Sequence, residues 1–216
     1  GVYEVNPTLS LPANGFKLGG SGATGVVMPA ELGWQPRVGP AQLPGRYRLG
    51  GYYDTSAAPY LGSPVGGPPS TALGRWGFWL QGDQMLHRPS PDSKRSLWAF
   101  AVFGYAGPAT ALLQTYWQVG LVKKGTFEGR DNDSIGIAVN SSWISRTLIA
   151  AQNQANAIAP GSTPVQSSET TIELNYRAQP TPWMSLMPNV QYVIQPNGLS
   201  SIGNALVIGF QAKVTF

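Results

Sequence analysis

The sequence predicts an all-β protein, a transmembrane antiparallel β-barrel, on three observations. Charged residues are only 11% of the 216-residue chain, alongside 11% aromatics and 27 glycines, less than half the charge of an ordinary soluble domain. The chain ends on "NALVIGFQAKVTF", in which Leu206, Ile208, Phe210, Ala212, Val214 and Phe216 take one side and Val207, Gly209, Gln211, Lys213 and Thr215 the other. Long and short connections alternate between strand-like segments along the chain. Strict alternation of apolar and polar residues marks a half-buried strand. Low charge combined with a mean hydropathy of −0.10 fits strands that average a lipid face against a water face. A soluble β-sandwich carries more charge on its outer faces.

About ten strands are expected, bounded by Gly, Pro, Ser and Asp clusters: Val2–Asn6, Val26–Gln35, Arg46–Thr55, Arg75–His87, Leu97–Tyr105, Thr115–Phe127, Ser134–Ser142, Thr170–Ala178, Trp183–Gln195 and Ala205–Phe216. Between them, "PTLSLPANGFKLGGSGATG", "SAAPYLGSPVGGPPSTALG" and "WISRTLIAAQNQANAIAPGSTPVQSSE" are long, and "AGPATALLQ" and "PNGLSSIGN" intermediate. "PRVGPAQLPG", "RPSPDSKRS", "EGRDND" and "QPTP" are shorter, and they fall at every second position. Outer-membrane barrels have short turns on the periplasmic side and longer loops outside. With Phe216 at the periplasmic end, the short class is entirely periplasmic. Within Ser145–Pro160 the residues Leu148, Ile149, Gln152, Ala155 and Ile158 recur near helical spacing after a Ser145 cap, so a short helix is expected there, at the pore mouth or on the rim.

Parity then sorts the side chains. Arg46, Arg48, Gly50, Tyr52 and Asp54 share a face against Tyr47, Leu49, Gly51 and Tyr53. Glu173, Asn175 and Arg177 oppose Ile172, Leu174 and Tyr176, while Asn189 and Gln191 oppose Val190, Tyr192 and Ile194. Gln118, Gly120 and Lys124 oppose Trp117, Val119 and Leu121, and Gly136, Ala138 and Asn140 oppose Ile135, Ile137 and Val139. Gln81 and Asp83 take the water side, as do Glu31, Gln211 and Lys213. Leu97–Tyr105 is apolar on both faces and parity does not orient it. The candidate pore-lining set therefore mixes both charge signs with amides and tyrosine. Such a wall suits a polar, neutral, hydroxyl-rich solute; mixed charges also simply keep a lumen wet.

Several other functions are excluded or disfavoured. "LWAFAVFGYAGPATALL" carries no charge, but Gly104, Gly107 and Pro108 interrupt it, and it is shorter than the ~20 apolar residues of a spanning helix. There is no cysteine, hence no disulfide, thiolate metal site or cysteine nucleophile. A net charge of +4, without a basic run interleaved with aromatics, gives no nucleic-acid footprint. "GSGATG" at Gly20–Gly25 precedes a strand rather than a helix, unlike a dinucleotide fingerprint. "RDNDS" at Arg130–Ser134 lacks the glycine and distal Glu of a calcium loop and reads as a polar turn. His87, the single histidine, has no serine in an elbow-like motif near it, so neither a barrel lipase nor any other enzyme is expected. No cofactor or metal is expected.

The order "GVYEVNP", "ELGWQP", "GRYRLGGYYDTS", "GRWGFWLQGDQML", "YWQVGLVKKGTF", "TTIELNYRAQPTPWMSLMPNVQYVIQPNG" and "ALVIGFQAKVTF" resembles the C-terminal part of the carbohydrate-selective porin (OprB) family. The resemblance implies a sixteen-stranded barrel in the outer membrane of a Gram-negative bacterium, passing monosaccharides and related small sugars by diffusion. It implies partners too: small sugars, outer-membrane lipid and lipopolysaccharide, and the barrel-insertion machinery reading the Phe216 end. Family members are roughly twice this length. The chain starts at Gly1 without Met or a signal sequence, so a segment was removed or the chain is a fragment of a single barrel domain. Ten tilted strands would close at roughly 10 Å radius and nearly fill with side chains, whereas sixteen give roughly 16 Å. An open wall is therefore expected, with its first and last strands unpaired to each other and the missing strands supplied from elsewhere. A general or anion-preferring porin, a non-transporting outer-membrane barrel and a soluble sugar-binding β-protein remain as alternatives.

Overall fold

Strand alternation becomes one continuous antiparallel sheet in the computed structural model, which describes residues 1–11, 22–64 and 66–215. Its strands are β1 (Tyr3–Val5), β2 (Gly25–Trp34), β3 (Arg37–Val38), β4 (Leu43–Asp54), β5 (Ala58–Pro59), β6 (Thr71–Ala72), β7 (Arg75–His87), β8 (Ser96–Ala106), β9 (Leu113–Lys124), β10 (Ser134–Ile144), β11 (Ser168–Thr181), β12 (Met184–Ile194) and β13 (Ala205–Val214). The order across the sheet is β1-β2-β4-β7-β8-β9-β10-β11-β12-β13. The ten strands of this path thus follow one another across the sheet in chain order. Short β3 pairs on the side with β4, and β5 and β6 form a separate two-stranded ribbon. β1 and β13 are the two edges and do not pair with each other. The wall is open, as expected from the width argument.

All ten expected strands are present, with shifted ends. β1 is shorter than Val2–Asn6, and β11 extends beyond Thr170–Ala178 at both ends. β9 stops at Lys124 rather than Phe127 because Gly125 turns to φ 70° and its N–H closes on Asp133 O at 2.8 Å. The connection Gly125–Asp133 is consequently longer than Gly107–Leu112 on the opposite end. The connection 88–95 before it is longer as well, so on both sides of 107–112 the long–short alternation read from the sequence fails. Phe216 lies outside the described residues, as do Gly20 and Ser21 of "GSGATG".

The sheet has almost no core of its own. Among the described residues, the buried hydrophobic side chains are Ala58, Met85 and Ala151. Large apolar side chains are instead exposed in a band: Leu49 is 54% exposed, Leu174 53%, Ile208 77% and Phe210 67%. Paired residues of an antiparallel sheet share a face, so the register shows that this band is one face. The row Leu32–Leu49–Leu80–Phe103–Trp117 crosses five strands on it, and Leu174–Val190–Ile208 crosses three more. An apolar face of this extent is unstable against water and calls for an apolar solvent. Among the described residues no helix is long and apolar enough to cross a membrane; the strands carry that role in a barrel.

The expected helix is α1, Arg146–Ile158. Buried Ser145 caps it, accepting from the N–H groups of Thr147 at 3.1 Å and Leu148 at 3.4 Å. It belongs to the rim. Ser145 N–H donates to Leu112 O, and Arg146 N–H donates to Gln114 Oε1 at 3.0 Å. The Gln152 and Gln166 side chains bond each other, and Gln166 reaches Asn197 O at 2.9 Å. The helical connection is thereby tied to the β8–β9 and β12–β13 connections beside it.

Candidate functional site

The opposite face of the sheet is polar, and the register places every candidate from the sequence on it. Glu31 pairs with Gly50; Arg46 with Asp83, Arg48 with Gln81 and Tyr52 with Gly77. Gln118 faces Asn140, and Lys124 faces Ser134, which in turn faces Arg177. Glu173 faces Gln191 and Asn175 faces Asn189. Lys213 faces Ser185 and Gln211 faces Met187. Asp54, opposite Arg75, shares the parity.

Three groupings differ in chemistry. Across β2, β4 and β7 the charges are neutralised in pairs: Arg46 Nε lies 3.2 Å from Asp83 Oδ2, and Arg48 Nε 3.9 Å from Glu31 Oε1. Arg46, Arg48, Gln81 and Asp83 line a concavity of about 230 Å³. Trp79 joins them, its indole N–H donating to Glu31 Oε2 at 2.9 Å. Gly50 between them is required, because a Cβ there would lie 2.2 Å from the indole ring. Across β11 and β12, the Glu173 carboxylate accepts from Asn175 and Gln191, each at 2.8 Å. Across β9, β10 and β11, Lys124, Ser134 and Arg177 form a row beside Trp98 and Phe100, around a second concavity of about 390 Å³.

Asp54 departs from the rest in exposure. It is 5% exposed, accepts from the Ser56 N–H at 2.8 Å and hydroxyl at 2.7 Å, and is ion-paired with Arg75. Its carboxylate is consumed by the wall and not free for a solute. The sequence reasoning passed over Trp79, Trp98, Phe100, Tyr116 and Ser134. Trp79 was legible, two residues from Gln81 on the same parity. Trp98 and Phe100 sit on the strand that alternation did not orient; pairing of Phe100 with Gly120 and Val102 with Gln118 orients it.

The turn motifs are engaged in structure rather than in ligation. Asp131 Oδ1 is 2.6 Å from Arg95 Nε, and Asp133 Oδ2 is 2.6 Å from Arg130 Nε. Burial opposes ionisation of Asp133. The Gln179 N–H, the Tyr176 hydroxyl and the Arg130 guanidinium outweigh it and hold the carboxyl below the usual carboxylate range. Among the described residues no group of three His, Asp or Glu side chains is arranged to hold a metal. His87 ends β7 opposite Leu97, far from the composition of a catalytic triad.

Residues 1–216 match the family described as carbohydrate-selective porin, OprB family. Porin B of Pseudomonas aeruginosa is 37% identical over the whole chain, which covers 51% of that protein. The putative porin QuiX of Acinetobacter baylyi is 31% identical, again over the whole chain and 51% of its own length. A high-pH structure of Pseudomonas putida OprB superposes on all of this chain and 54% of its own with a TM-score of 0.87 at 35% identity. A low-pH structure of the same protein covers 89% of this chain and 47% of its own with a TM-score of 0.61 at 30% identity. The chain thus spans about half the length of the curated relatives it matches, and its sheet reproduces half of a porin barrel wall. It belongs to the OprB family of outer-membrane carbohydrate-selective porins.

Proposed function

We propose that the sheet is part of the wall of a single outer-membrane barrel through which small carbohydrates diffuse passively. The observation that carries this is the division of faces: charges and amides on one, exposed Leu, Ile, Val and Phe on the other. A barrel in lipid turns the apolar face to the bilayer and the polar face to water. An unpaired strand edge is not tolerated in hydrocarbon, so β1 and β13 pair with further strands of the same barrel. Selectivity then comes from width and lining groups. The paired charges of Arg46, Asp83, Arg48 and Glu31 present donors and acceptors to sugar hydroxyls with no net charge. Trp79 adds an aromatic face held flat by its bond to Glu31.

The same reading assigns the partners. Acyl chains and lipopolysaccharide cover the apolar face, and the insertion machinery reads the strand that leads to Phe216. The test is swelling of proteoliposomes holding the complete barrel. Monosaccharides should enter well ahead of a trisaccharide; swelling no faster than in protein-free liposomes refutes the proposal.

A further inference from the structure

We infer that Lys124, Ser134 and Arg177 form an anion subsite that admits carboxylate-bearing sugars of the uronate class. The inference rests on the pore reading above, and concerns a second substrate class for it. On the polar face, the β4 cations have carboxylate partners: Arg46 has Asp83 and Arg48 has Glu31. Lys124 and Arg177 have neither an ion pair nor a side-chain hydrogen bond among the described residues. They nevertheless stand in one row, both paired in register with Ser134. Two strand spacings of ~4.8 Å separate their backbones. Like charges so placed repel each other, and an anion between them relieves that repulsion while accepting charge-assisted hydrogen bonds.

The surroundings specify more than charge. The concavity they border, about 390 Å³, is floored by Trp98, Phe100 and Val122, within the ~300–1,000 Å³ range of small-molecule sites. Phe100 lies flat there because its partner is Gly120, where a Cβ would meet the ring at 2.5 Å. The one carboxylate lining the concavity, Asp83, is engaged by Arg46. The site therefore offers two free cations and a hydroxyl above an apolar floor. That combination fits a six-membered sugar ring, one face laid on the aromatics, with a carboxylate at its edge. A bare inorganic anion would use the cations and leave the floor unused.

The experiment is current block in planar bilayers containing the complete barrel, titrated separately with glucuronate, glucose and inorganic phosphate at low salt. Glucuronate should half-block at a concentration at least about tenfold below glucose, as one or two charge-assisted bonds provide. In the double variant Lys124→Gln, Arg177→Gln, whose barrel is verified by heat-modifiable migration, the glucose-to-glucuronate ratio should fall toward one. An unchanged ratio in the variant, or equal half-block by glucose and glucuronate in the parent, overturns the inference. Phosphate blocking as well as glucuronate overturns the sugar-acid assignment. Failure of glucose itself to interact with or pass the channel refutes the pore reading instead.

Discussion

The indole of Trp79 on β7 reaches across β4 to the carboxylate of Glu31 on β2, and Gly50 lies beneath the bridge in the same register row. One missing side chain on the middle strand lets an aromatic ring lie along the wall instead of projecting from it. Gly50→Ala should force the ring out and break the 2.9 Å bond, costing about 1 kcal/mol, because the exposed carboxylate it leaves is taken up by water. The barrel should still migrate as a folded species, with single-channel conductance reduced by the displaced ring. Wild-type conductance in this variant would mean that the ring does not border the conducting path.

The assignment of faces is tested on β13. Single-cysteine variants at Gln211 and Lys213 should react with a water-soluble thiol reagent in intact membranes, and those at Phe210 and Ala212 should not. Equal labelling of both sets would contradict the placement of one face in lipid.

Asp54 gives a prediction of stability rather than transport. It is buried, while the Arg75 side chain retains 34% exposure and its Nε has no partner among the described residues. Breaking a fully buried ion pair costs ~3–5 kcal/mol; partial exposure of the arginine and its incomplete bonding reduce this to about 2 kcal/mol. Asp54→Asn should lower the urea midpoint of the barrel accordingly, with sugar swelling rates within about twofold per folded protein. A large change in swelling at unaltered stability would return Asp54 to the solute path.

Asp133 sets an acid limit on the β9–β10 turn. Its folded carboxyl titrates below the reference value of 3.8. The stabilisation is therefore present in full above that unfolded value and is lost as pH falls through the lower folded one. Amide exchange at Gln179, whose N–H donates to Asp133 Oδ1 at 2.8 Å, should stay protected from neutral pH to near pH 4, once intrinsic rates are corrected, and lose protection below. Asp133→Ala, which leaves no acceptor for the Gln179 N–H, should remove the protection across the whole range.

The ten strands of the main path were legible because Gly, Pro, Ser and Asp clusters bound them and, in most, a period of two survives; the two-residue strands β3, β5 and β6 are too short to show a period and were not legible. The faces were legible wherever one of them held a charge, as in β4 or β11. They were not legible in β8, where Trp98 and Phe100 alternate with Ala99 and Ala101 and hydrophobicity carries no parity; only pairing with Gly120 and Gln118 resolves it. Exposure of a carboxylate was also beyond the pattern. Asp54 has the parity of Asp83, but Ser56 and Arg75 come from the following connection and the next strand. Turn length misled at Gly125, where the backbone left the strand while the side-chain pattern "GTF" still read as extended.

The meander order bears on how such a wall is assembled. With each of the ten strands of the main path hydrogen-bonded to the next of the ten along the chain, each pairing is a local event, and local contacts make for fast ordering. The exceptions are the wide connections, where joining two strands first requires closing a flexible loop, at a cost that grows by ~0.6 kcal/mol for each doubling of length. Two of these carry a self-contained device: the ribbon of Ala58 with Ala72 and Pro59 with Thr71 between β4 and β7, and α1 with its Ser145 cap between β10 and β11. Each shortens the effective tether before the strands meet. The outer loops thus act as folding staples as well as rim, and zipping can proceed hairpin by hairpin across spans that would otherwise be its slowest steps.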